Sequence, residues 1–234
     1  PTRVSLSKNT RLEMSKRFQG LGVALITPFT PQGDIDFPGL ERMVHHVASS
    51  KAHYLVALGS TGEAMLMAES EHRRVLDFIM EVNAGRLPIV AGFDGQGGTA
   101  AAVERIASLD PKGLSALLVS PPAYIKPGQE GIKAHFKALA EAAPLPIIMY
   151  NVPSRAGVTM MPQTIIDLSR ECPALIGLKQ ATDDLVAYED FDFRALGFDA
   201  DQGHDVPLDL DLDLEPSRPG QHQHGRGGIS RRTP

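Results

Sequence analysis

An α/β fold of repeated βα units around a parallel sheet is what this sequence predicts. Three observations carry the prediction. From Gly22 to about Phe193, short β-rich apolar runs alternate with longer amphipathic stretches, the signature of βα units. Six such runs can be delimited. The polar residues best suited to chemistry fall at or just past the carboxyl ends of those runs, and a parallel barrel gathers those ends on one face.

The elements follow in order. The first strand is expected over 22–27, and Asp36 then caps a helix that runs through Ser49. A second strand over 54–58 leads to a helix over 66–82, whose first turn holds Glu69 and Glu71 against the positive end of its dipole. The third strand, over 88–92, opens into a glycine-rich stretch ending at Gly98. That stretch lacks the lysine of a P-loop and the spacing of a dinucleotide fingerprint, so it reads as a flexible βα loop. A helix over 99–109, a strand over 114–119 and a helix over 129–142 come next. A strand over 146–150, a helix over 161–170 and a strand over 175–179 follow, with a last helix over 183–193. The histidines His45, His46, His53 and His72 have no ligand spacing and read as structural. Met65 and Met67 read as core.

Composition bounds the function. The 234 residues suffice for one domain with a full core. A hydrophobic fraction of 42% and a charged fraction of 22% are those of a soluble globular chain. The net charge is −5, and no basic block suggests nucleic acid. No apolar stretch is long enough to span a membrane. Cys172 is the single cysteine, which rules out an internal disulfide and makes a reducing cytoplasm the expected location.

Residues 1–17 read as an N-terminal extension, 18–193 as the patterned domain and 194–234 as an irregular tail. Six βα units are two short of a closed (β/α)8 barrel. The tail supplies no clear replacement: residues 208–214 alternate Leu and Asp, and the stretch around His222 and His224 has the composition of disorder rather than of a metal site.

Lys179 is the most telling residue. It closes the apolar run Leu175-Ile176-Gly177-Leu178, where a partly desolvated amine can lose its proton and attack a carbonyl. Ser60 and Thr61, in Gly59-Ser60-Thr61-Gly62-Glu63, offer hydroxyls and backbone N–H groups as a carboxylate cradle, or a cap for the next helix. Tyr150 ends the fifth strand and reads as a proton shuttle or as a core ring with a solvated tip. Arg155 offers a fork for a carboxylate or a surface ion pair. Tyr124, after the fourth strand, is a further candidate.

Four stretches resemble the pyruvate-dependent class I lyases of the dihydrodipicolinate synthase and N-acetylneuraminate lyase family. They are Ala24-Leu25-Ile26-Thr27-Pro28-Phe29, Gly59-Ser60-Thr61-Gly62-Glu63, Tyr150-Asn151-Val152-Pro153-Ser154-Arg155-Ala156-Gly157 and Gly177-Leu178-Lys179-Gln180-Ala181-Thr182. The resemblance spans about residues 18–193. It implies a (β/α)8 TIM barrel, here with about six recognisable units. It implies that Lys179 forms an imine with pyruvate and that Thr61 holds the pyruvate carboxylate. Tyr150 would move the protons, with Ser60 and Tyr124 completing a hydroxyl relay. Tyr124 would be lent by a neighbouring subunit; it is placed by counting back from Pro127, whereas counting forward puts Pro122 or Ala123 there. Arg155 would grip the carboxylate of aspartate semialdehyde, the second substrate of the synthase branch and of lysine and diaminopimelate biosynthesis. No metal or organic cofactor is implied, and the assembly would be a homotetramer built as a dimer of dimers. Two alternatives stand beside this: a lyase for sialic or sugar acids, and an inactive remnant whose sequence departs from the family after Phe193.

Overall fold

Among the described residues, six parallel strands lie side by side in chain order. They are β1 Gly22–Ala24, β2 Tyr54–Ala57, β3 Ile89–Phe93, β4 Ala116–Val119, β5 Ile147–Asn151 and β6 Leu175–Gln180. Between them run α1 Phe37–Ala48, α2 Glu69–Asn83, α3 Gly98–Ala107, α4 Gln129–Ala142, a single turn α5 Pro153–Ala156, and α6 Pro162–Glu171. The computed structural model describes residues 13–93 and 98–182. The expected helix over 183–193 and the tail lie outside the described residues, as do most of the N-terminal extension and the centre of the glycine-rich loop. Among the described residues, β1 and β6 are the two edges of the sheet.

Side chains alternate along each strand and so build two apolar layers. Leu55, Ile89, Leu117, Ile147, Met149 and Leu175 point one way and pack with Leu40, Val75, Ile79, Ile106, Phe136, Leu139, Ile165 and Leu168 of the helices. Val56, Val90, Ala116 and Leu118 point the other way, into the concave interior, where Phe18, Ala24, Tyr54, Ile148 and Tyr150 join them. Each large side chain so buried contributes about 1.5–3 kcal/mol. Phe18 meets the Tyr54 ring edge-on at 5.6 Å between centroids. A side chain at Gly22 would collide with the same Tyr54 ring, and burial pushes the Tyr54 hydroxyl's pKa up.

Asp36 caps α1 as its sequence predicts, its carboxylate accepting from the Gly39 N–H at 2.9 Å. The second helix departs from expectation: it begins at Glu69, not at Leu66. Glu63 adopts a left-handed conformation, two 3-10 turns, Ser60–Gly62 and Ala64–Leu66, flank it, and Met67 and Ala68 are extended. The Glu71 carboxylate then accepts from the Ala68 N–H at 2.8 Å, the half of a capping box that the sequence can supply. The histidines behave as structural groups: His53 Nδ1 accepts from the Leu21 N–H at 2.9 Å, and His72 Nε2 contacts the Ala64 carbonyl at 2.6 Å. Met67 is core, but Met65 is 51% exposed, a correction to the sequence reading.

One buried group makes stability pH-dependent. His135 of α4 is 1% exposed, and its Nδ1 lies 2.9 Å from the Thr99 hydroxyl of α3. Burial lowers its pKa to about 4. The unfolded chain therefore takes up a proton between about pH 6.5 and 4 that the folded chain resists, so stability falls as pH falls through that window. The loss expected is on the order of 3 kcal/mol. Urea titrations at pH 7 and pH 4.5 check it: His135→Gln should flatten the difference, and an unchanged difference would assign the acid sensitivity to other groups.

Candidate active site

The carboxyl ends of β2 to β5 surround a cleft of about 330 Å³. Ser60, Glu63, Met65, Ser120, Tyr150 and Arg155 are among its walls. Its first wall is the turn after β2. Leu58 leaves the strand at φ 54, a conformation a leucine rarely adopts. The turn can close because the facing residue is Gly92: a Cβ there would run into the Leu58 carbonyl. Thr27, buried beyond β1, donates its hydroxyl to the Gly62 carbonyl at 2.8 Å and so ties the turn carrying Ser60 to the rest of the sheet.

The opposite wall is β5, whose Tyr150 has Lys179 of β6 as its direct neighbour in the ladder. Lys179 Nζ lies 4.5 Å from the Tyr150 ring centroid, and the ring face attracts the amine while it is charged. The Tyr150 hydroxyl lies 3.4 Å from Ser60 Oγ. That is long for a hydrogen bond between hydroxyls, but catalytic contacts commonly shorten once substrate is bound. Lys179, Tyr150 and Ser60 thus form one continuous series across the interior. Lys179 lies over the Tyr150 ring, which lines the cleft, and is not itself one of the cleft's walls.

The remaining expected residues divide. Arg155, on α5, shares the cleft with Tyr150 and Ser60. Thr61 sits beside Ser60 in the same 3-10 turn, with its side chain exposed rather than in the cleft wall. Tyr124 does not join its own chain's series. It is 93% exposed with φ 72, and Lys126 after it has φ 48, so two bulky residues in left-handed conformations hold this loop outward. Ala123 takes the place in the cleft wall instead. Glu63 and Ser120 are cleft residues that the sequence reading passed over. Glu63 could have been suspected from its place in the turn, whereas Ser120 carries no local signal. Among the described residues, no cluster of three or more His, Cys, Asp or Glu side chains could hold a metal ion, and no helix is long and apolar enough to cross a membrane.

A parallel βα sheet with polar chemistry gathered at the carboxyl ends of its strands defines a protein of the TIM-barrel class. The Dihydrodipicolinate synthetase family profile matches residues 17–195, and the chain belongs to that family. It is 43% identical over 169 residues to the 4-hydroxy-tetrahydrodipicolinate synthase of Flavobacterium psychrophilum, covering 72% of this chain and 57% of that protein. The enzyme of the same name from Porphyromonas gingivalis is 42% identical over 71% of this chain and 56% of its own length. Among solved structures, the chloride-inhibited dihydrodipicolinate synthase of Acinetobacter baumannii, complexed with pyruvate, superposes with a TM-score of 0.69 at 36% identity. That match covers 77% of this chain and 61% of the other. The chain spans somewhat over half the length of the curated relatives it matches.

Proposed function

We propose that this protein is a 4-hydroxy-tetrahydrodipicolinate synthase-like lyase that joins pyruvate to aspartate semialdehyde through a lysine imine. The observation that carries this reading is the placement of Lys179 Nζ over the Tyr150 ring, with the Tyr150 hydroxyl directed at Ser60. In the proposed reaction the Lys179 amine adds to the pyruvate keto carbon and water leaves, giving the imine. Loss of a methyl proton makes the enamine. Its terminal carbon bonds to the aldehyde carbon of the second substrate, whose oxygen takes up a proton. The second substrate's own amine then displaces Lys179 from the imine carbon and frees the enzyme. Tyr150 and Ser60 carry the protons that these steps release and consume.

Arg155 is the group in the cleft suited to the carboxylate of aspartate semialdehyde, which favours the synthase over a lyase for sialic or sugar acids. Thr61 and its backbone neighbours are assigned the pyruvate carboxylate. Tyr124 is assigned to the relay of a neighbouring copy. Its exposure, shared with Leu66 at 80% and Ile125 at 68%, supports a homo-oligomer, proposed as a tetramer of paired dimers in the cytoplasm. The pathway served would be that of diaminopimelate and lysine.

Incubation with pyruvate followed by borohydride tests the reading. The peptide containing Lys179 is expected to gain the mass of a reduced pyruvate adduct, and aspartate semialdehyde is expected to be consumed. No adduct would overturn the proposal. An adduct with cleavage of sialic acid and no use of aspartate semialdehyde would move the protein to the lyase branch, and an adduct with neither activity would leave a pyruvate-binding module.

A further inference from the structure

The β5–β6 ladder changes register part-way along. Ile147 faces Leu175, but Ile148 faces Gly177, so Ile176 is an extra residue on β6. Beyond it the pairs are Met149 with Leu178, Tyr150 with Lys179 and Asn151 with Gln180. Without the extra residue the same count would set Leu178 beside Tyr150 and Lys179 beside Asn151. A one-residue slip turns every later side chain to the other face of a sheet. Lys179 would then point at the helices and away from the interior. The bulge persists only if contacts beyond it favour the shifted register, so the position of Lys179 depends on those contacts.

Those contacts converge on Asn151, which is fully buried. Its Oδ1 accepts from the Met160 N–H at 2.9 Å. Its Nδ2 donates to the Met160 carbonyl at 3.3 Å and to Gln180 Oε1 at 3.0 Å. Its backbone carbonyl accepts from the Ala181 N–H at 2.8 Å. A backbone N–H can only donate, so Met160 decides which end of the Asn151 amide is oxygen. Gln180 must therefore present its own oxygen to Asn151. Its Nε2 is left buried without a hydrogen-bond partner among the described residues, an arrangement that costs free energy and persists because the other end of the amide is held.

We infer that the Asn151–Gln180 amide pair is a register pin that keeps Lys179 on the interior face beside Tyr150. Neither residue touches the substrate; both are positioning residues. The catalytic consequence rests on the proposed imine chemistry, whereas the register itself does not.

The test uses the full chain. Gln180→Leu removes the acceptor and leaves the Asn151–Met160 bonds in place; Gln180→Glu keeps an acceptor and removes the partnerless donor. Borohydride trapping of pyruvate on Lys179 is expected to slow by up to about tenfold in Gln180→Leu, the limit that one lost cross-strand hydrogen bond sets on the ratio of two registers, and to keep the unsubstituted rate in Gln180→Glu. A second readout needs no chemistry at the lysine. Met149→Cys combined with Leu178→Cys places two thiols on facing positions of the helix-side layer, and the joined peptides are identified by mass. Cross-linking is expected with Gln180 or Glu at position 180 and to fall with Leu. Should Gln180→Leu lose its circular dichroism, Gln180→Met, unbranched like glutamine, takes its place. Trapping and cross-linking unchanged in the variant lacking the acceptor would overturn the pin. If the unsubstituted chain is not labelled by pyruvate, the imine reading fails by itself and the cross-link alone decides the register claim.

Discussion

Replacing Lys179 by arginine is expected to abolish pyruvate trapping and to lower synthase turnover at least about 10³-fold, or roughly 4 kcal/mol of lost transition-state stabilisation at about 1.36 kcal/mol per decade. Arginine separates two properties that lysine combines. It retains a positive charge and can still lie over the Tyr150 ring, where Lys179 Nζ is now 4.5 Å from the centroid. It does not lose its proton in a protein and cannot add to a carbonyl. If the amine served only as a counter-charge for a bound carboxylate, arginine would preserve much of the activity. If it is the nucleophile, none of the covalent route survives. The side chain belongs to no buried salt bridge or hydrogen-bond network among the described residues, so the variant should retain its circular dichroism. Mass analysis after borohydride treatment and a steady-state assay with both substrates check the expectation. Labelling of the arginine variant, or turnover within tenfold of the unsubstituted chain, would sink the assignment.

Lys179 was legible in the sequence because an amine closing a short apolar run breaks the local pattern. Tyr150 and Arg155 were legible for a related reason: both lie where a strand gives way to a loop, and the fold brings such ends to one rim. The fold itself was written in the alternation of runs, and all six strands stand within a few residues of their expected places. The misses have local physical causes. Leu66 and Met67 continue the apolar spacing of α2 backwards, yet the left-handed Glu63 and the extended Met67 and Ala68 keep them out of the helix. The Pro153–Ala156 turn is too short to show a periodic pattern. Asn151 and Gln180 stand out in the sequence only as members of a family motif, since their partnership depends on where the β5–β6 register shifts. A shift of that kind is a property of two strands together and leaves no mark on either one alone. Tyr124 is the reverse case: its residue type suggested a role, but only the loop's left-handed backbone explains why the ring leaves its own chain's interior.

Tyr150→Phe is expected to lower turnover about 10²- to 10³-fold, the range in which a positioned proton donor and acceptor usually contributes, while leaving the apparent affinity for pyruvate within about threefold. The substitution removes one oxygen and keeps the ring. The apolar contacts with the interior layer persist, and so does the face over which Lys179 lies. The hydroxyl's recorded partner is Ser60 Oγ at 3.4 Å, a contact too long to hold much folding free energy, so stability should change by less than about 1 kcal/mol. A split of this kind distinguishes proton transfer from support: a merely structural tyrosine would lose stability and affinity together with rate. Ser60→Ala, acting through the same proton path, is expected to cost about tenfold alone and little more when added to Tyr150→Phe, because residues that work as one relay are not additive. Pre-steady-state measurement of imine formation, with urea titrations on the same samples, provides the check. If the two substitutions multiply as independent effects, or if the phenylalanine variant turns over within threefold of the original, Ser60 and Tyr150 do not form one relay and the protons of the imine step travel by another route.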